Sequence, residues 1–121
     1  MKVTVRVSQS FMSAAKPLLK KYPSLSKDLL KLENNLQKNP SMGTSLGNNC
    51  YKIRLKISSK GKGKSAGARV ISFVETLLIT ESKIMNEEVT VKLVTIYDKS
   101  TTANITDKEL KYLIKRLTEP Y

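Results

Sequence analysis

The 121-residue chain contains no histidine and a single cysteine, Cys50. Zinc centres and imidazole-based acid/base catalysis are therefore excluded, and no disulfide framework can form within the chain. Cys50 opens an apolar strand pattern, where a packed thiol is the expected state. No apolar run approaches membrane-spanning length, and MKVTVRVSQS alternates like a strand instead of carrying a signal core. The expectation is a soluble cytoplasmic protein without a membrane partner. Acidic residues are also scarce: 10 Asp and Glu stand against 22 Lys and Arg, a formal charge of +12. Between Glu33 and Glu75 there is no carboxylate at all. Such a field attracts polyanions, although a lysine-rich surface can also be merely solvated.

What is present in that acid-free interval is an alternating stretch, YKIRLKISSKGKGKSAGARVISFV, from Tyr51 to Val74. Tyr51, Ile53, Leu55 and Ile57 alternate with Lys52, Arg54 and Lys56, the period of a strand with one buried face. Cations so close on one face repel unless an anion lies among them. The loop that follows carries Lys60, Lys62 and Lys64, and Arg69 opens the next strand. The loop alone could be a polar connection with solubilising lysines. Its position between Arg54 and Arg69 on paired strands points instead to an anion site. Gly63-Lys64-Ser65 is not a nucleotide loop, because position 58 is Ser58 and a strand, not a helix, follows.

Around this hairpin the chain divides into periodic segments. Residues 2–7 form a strand with Val3, Val5 and Val7 on one side. A helix to about Tyr22 uses Phe11, Ala14, Ala15, Leu18 and Leu19, with Pro17 predicting a kink or a break near Lys16. Ser24 or Ser26 starts a second helix with Leu25, Leu29, Leu32 and Leu36 at helical spacing. Residues 43–49 form a turn-rich loop, and Thr80 to Glu88 a polar turn before a last strand, Val89 to Tyr97. Thr106 and Glu109 fit a capping box, opening a helix with Leu110, Leu113, Ile114 and Leu117 on one face. The expected fold is α+β, one domain over 1–121, in the order β-α-α-β-β-β-α. A helical hairpin packs on a small, mainly antiparallel sheet. Tyr97 is either an amphipathic strand-end residue or a group that stacks on a base or moves a proton. Glu75 and Glu81 are too far apart along a strand to work as a carboxylate pair.

GTSLGNNCYKIRLKISSKGKGKSAGARVISFV, VTIYDKS and the closing NITDKELKYLIKRL resemble toxins of the RelE/HigB type, within the RelE/ParE superfamily of bacterial toxin–antitoxin systems. The resemblance runs over nearly the whole chain in the same element order. It implies a RelE-like fold and a ribosome-associated endoribonuclease that cleaves mRNA, inhibits translation and is restrained by a cognate antitoxin with an acidic or partly disordered segment. The implied chemistry needs no metal and no cofactor: the 2′-hydroxyl attacks the adjacent phosphate and the 5′-oxygen leaves. Lys52 and Arg54 match the family's paired basic residues, and Arg69 its phosphate-binding arginine. Tyr97, with Asp98 or Lys99, stands where relatives place a catalytic or base-stacking residue. Lys56, Lys60, Lys62, Lys64 and Lys99 would extend the RNA contact. Some relatives use a histidine for proton transfer. Here that task would fall to Lys52, a loop lysine, Tyr97 or Asp98. The alternative is a non-catalytic protein: a ParE-like topoisomerase inhibitor, or a basic module that only occupies RNA.

Overall fold

Strand and helix periodicities translate into nine short elements in a computed structural model, which describes residues 2–60, 67–81, 84–101 and 104–118. In chain order they are β1 (Lys2–Val7), α1 (Gln9–Lys21), α2 (Leu25–Lys38), β2 (Thr44–Gly47), β3 (Cys50–Leu55), a 3₁₀ turn at Ser58–Lys60, β4 (Ala68–Glu81), β5 (Ile84–Asp98) and α3 (Asp107–Thr118). The sheet order is β1-β5-β4-β3-β2, with β1 parallel to β5 and every other pair antiparallel. The fold class is α+β with a mixed five-stranded sheet. No described helix is long and apolar enough to cross a membrane.

Each face of the sheet has its own core. Phe11, Ala15, Leu25, Leu32 and Leu36 from α1 and α2 pack with Ile53, Val70, Val91 and Ile96 on the first face. Leu110 of α3 packs with Cys50, Ile71 and Val94 on the second. Strand alternation explains the division, since Cys50 and Ile53 fall on opposite sides of β3. Burial pushes the Cys50 thiol pKa up, as expected for a packed thiol. Val94 is an extra residue on β5, because Ile71 pairs with Thr95 while Ser72 pairs with Leu93. That bulge brings Val94 into the second core. Ser8 fastens α1 to the same spot, donating from its backbone to Leu93 and from its hydroxyl to Val94, while accepting from Phe11 as N-cap.

Three expectations change. Pro17 lies inside an unbroken α1, on its exposed side, where it removes only one ladder bond. Residues 43–49 are not a plain loop: β2 pairs with β3, and Asn48 and Asn49 turn the chain with φ of 53° and 63°. Two consecutive left-handed residues match the twist of a tight hairpin, so the turn formers mark its tip. Gly43 is also required, with φ of 102° and a side chain there meeting the Lys52 carbonyl at 2.5 Å. Finally, the expected polar turn from Thr80 to Glu88 is mostly strand, because β4 and β5 stay paired to Glu81 and Ile84. The observed order is β-α-α-β-β-β-β-α. Thr106 caps α3 as expected, its hydroxyl accepting from the Glu109 backbone N–H, but the Glu109 carboxylate accepts from that hydroxyl and not from the Thr106 backbone that a full capping box uses.

Candidate nucleic-acid interface

On the α3 side, three adjacent strands carry Arg54, Arg69 and Tyr97 in a single row. Arg54 pairs with Arg69 across β3–β4, and Arg69 with Tyr97 across β4–β5. Lys52 precedes Arg54 on the same side of β3. Arg54 and Lys56 are exposed, and Lys52 is half-buried. Lys52 donates to Asn104 Oδ1 at 3.4 Å, a contact from the segment before α3 that the sequence did not signal. Arg69 is only 5% exposed, and its guanidinium donates to the Ala68 carbonyl at 3.2 Å. Like-charged residues directly opposite each other destabilise a sheet, so this register carries an electrostatic cost. The Tyr97 hydroxyl is buried and has no hydrogen-bond partner among the described residues. An unmade buried hydrogen bond costs about 1–3 kcal/mol. The row thus combines two guanidinium groups with a donor that lacks an acceptor, which is what an oxyanion would supply.

Asp98 does not join this row. Alternation turns it to the α1–α2 side, where it is 3% exposed. It accepts from the Tyr22 hydroxyl, from Lys60 Nζ at 3.0 Å, and from Ser100 through the backbone and the hydroxyl. Burial alone would raise its carboxyl pKa, yet these donors outweigh burial and hold it well below the usual carboxylate range. Lys60 answers the pairing. Burial pulls its pKa down, but the hydrogen bond and charge of Asp98 outweigh that and keep it raised. Its ammonium also lies 5.3 Å from the Tyr22 ring centre. A carboxylate so held is a poor proton acceptor, and the lysine is committed to the fold. Neither is available to a substrate on the far face.

Asp28 of α2 braces the neighbouring turn in the same way. It accepts from Ser58 through N–H and hydroxyl at 3.0 and 2.7 Å, and from the Ser24 hydroxyl at 2.7 Å. Burial again acts upward on its pKa, and the serine hydrogen bonds bring it below the ordinary value. Ser24 therefore spends its hydroxyl on Asp28 and makes no cap bond to its own helix. Lys99 is half-buried, and its backbone donates to the Gly67 carbonyl. Lys62 and Lys64 lie outside the described residues. Among the described residues, no three Cys, Asp or Glu side chains gather as a metal site. No known family profile matches the chain, and neither a characterised relative nor a solved structure is found to be similar.

Proposed function

We propose that the chain is a RelE/HigB-type toxin, an endoribonuclease that cleaves mRNA on the ribosome and so inhibits translation. The observation that carries this reading is the unpartnered Tyr97 hydroxyl in register with Arg69 and Arg54. A phosphodiester on this row would receive the Arg54 guanidinium from solvent and the Tyr97 O–H from within. Arg69, nearly buried, would supply positive charge and hold the row in place. As the 2′-oxygen closes onto phosphorus, negative charge grows on the non-bridging oxygens, where fixed cations and donors act most strongly. The 5′-oxygen then leaves and takes up a proton. Lys52, kept near by Asn104, and Tyr97 are the remaining groups for proton transfer on this face. An antitoxin segment that is acidic and disordered alone would cover Lys52, Arg54 and Lys56.

The test is 5′-end mapping of a defined mRNA with and without translating ribosomes, for wild type, Arg54→Ala and Tyr97→Phe. Ribosome-dependent cuts that fall about 100-fold in Arg54→Ala are expected, the scale for losing one oxyanion donor. Full cleavage by both variants would sink the assigned site.

A second reading keeps the interface and drops the chemistry. Asp98 is tied on the opposite face and there is no histidine, so the row has no ready general base. A non-catalytic RNA occupant would show steep salt dependence without strand scission. A ParE-like topoisomerase inhibitor would damage DNA while mRNA stayed intact.

A further inference from the structure

Helix α3 packs Leu110, Leu113, Ile114 and Leu117 onto the sheet, on the side where Tyr97 also packs. The opposite side of the helix has a pattern of its own. Lys111, Tyr112, Lys115 and Arg116 follow Lys108 at three, four, seven and eight residues, which sets all five in one stripe along α3. All five are exposed, Tyr112 to 60%. The stripe is about 12 Å long. The two carboxylates of the helix, Asp107 and Glu109, lie in its first turn and fall at the edges of the stripe, not within it.

Helix stability explains only half of this stripe. Lys115 and Arg116 suit the last turn, where cations oppose the helix dipole. Lys108 stands in the first turn, at the unfavourable end, and Lys111 and Lys115 repel each other across one turn. Asp107 precedes Lys111 by one turn, yet among the described residues Lys108, Lys111 and Arg116 form no ion pair. Arg116 instead lies 5.8 Å from the centre of the Tyr112 ring. Among the described residues, Tyr112 is the one aromatic side chain that is mostly exposed. Two adjoining grooves lead from the stripe toward the cationic row. The first, of about 430 Å³, runs between Lys111 and Lys115 on α3 and Leu46 and Cys50 on the sheet. The second, of about 210 Å³, shares Leu46 and Leu110 with it and reaches Lys52 and Asn104.

We propose that the outer stripe of α3 binds single-stranded RNA, with Lys108, Lys111, Lys115 and Arg116 along its phosphates and Tyr112 stacked on an unpaired base. A nucleic-acid strand presents about three phosphates over the length of the stripe. Charge alone would also suit an acidic peptide. The exposed ring among the cations favours RNA, because every base offers a face to stack on and a carboxylate side chain offers none. It favours a single strand over a duplex, whose base faces are already covered by their neighbours. The proposal rests on reading the α3 side as an RNA surface, but it does not require the row to cleave.

The test is fluorescence anisotropy of the full chain with a labelled single-stranded 2′-O-methyl RNA over a salt series. That RNA cannot be cleaved by 2′-hydroxyl attack, so binding is read whether or not the chain is a nuclease. All the residues to be changed are exposed, so the packed side of α3 is kept. Lys108→Gln with Lys111→Gln and Arg116→Gln should weaken binding and flatten the slope of log K against log salt by about 2. Tyr112→Ala should weaken binding about tenfold with the slope unchanged, and Tyr112→Phe should restore it. A duplex of the same sequence should bind more weakly and ignore Tyr112→Ala. An unchanged slope in the triple variant, or full affinity in Tyr112→Ala, overturns the proposal. If polyglutamate also displaces the RNA at equal charge, the stripe belongs to an acidic protein segment instead. Binding as expected by a chain that cuts no mRNA would sink the nuclease reading and leave this one standing.

Discussion

Tyr97 and Asp98 are neighbours in the chain and opposites in the fold. On the α1–α2 face, Asp98 draws four hydrogen bonds from Tyr22, Lys60 and Ser100. On the α3 face, the Tyr97 hydroxyl lacks any partner among the described residues, and Arg54 stands across from Arg69. The Asp98 carboxylate has its hydrogen bonds met, and the Tyr97 hydroxyl does not. Buried groups that are fully paired serve stability, whereas an unmatched donor beside cations suits a ligand. The side of a strand, not closeness in sequence, separates the two roles.

The sharpest way to break this contrast is Asp98→Ala. It strands Tyr22 and Lys60 together and should cost about 3 kcal/mol in urea unfolding, the scale for removing one side of a buried charged network. Activity per folded molecule should hardly change. Acid unfolding sharpens the same point. Asp98 and Asp28 have folded pKa values below the ordinary 3.8, so their contribution is present above that value and is lost as pH falls through the folded values. Stability should therefore drop below about pH 4, with a shallower slope in Asp98→Ala. Tyr97→Phe should do the reverse of Asp98→Ala, leaving stability unchanged or raising it by about 1 kcal/mol while cleavage or RNA binding falls. The smallest effect belongs to Glu75→Gln. Its ion pair with Lys92, at 3.2 Å, is well exposed to solvent and should shift stability by less than about 0.5 kcal/mol.

Much of the architecture was legible because period and burial coincide. Leu25, Leu32 and Leu36 mark the buried side of α2, and Ile53, Leu55 and Ile57 the buried side of the β3 segment. The pairing of Arg54 with Arg69 also follows from a hairpin reading of that stretch. β2 was hidden because its four residues have little apolar signal and lie among turn formers whose task is to bend the strand pair. The outer part of the β4–β5 pair was hidden for a different reason. A ladder there is carried by backbone bonds, and a polar sequence such as Asn86-Glu87-Glu88 resembles a turn. The opposite roles of Tyr97 and Asp98 depend on a partner 76 residues away, Tyr22, and no local pattern carries that distance.

The parallel pairing of β1 with β5 has a consequence for the order of assembly. Val3 lies beside Val89 and Val7 beside Leu93, and Ser8 is fastened to Leu93 and Val94. β1 therefore has no strand to pair with until β5 exists. Contacts this distant in sequence slow folding, since a long chain segment must close before they form. A nascent chain would hold β1 and the start of α1 unsecured through most of synthesis. Pulsed hydrogen exchange on chains halted before β5 should find the amides of residues 3–7 unprotected, with protection arriving only once residues 88–93 are available. β1 must wait for β5, more than 80 residues further along the chain, before its backbone bonds can form.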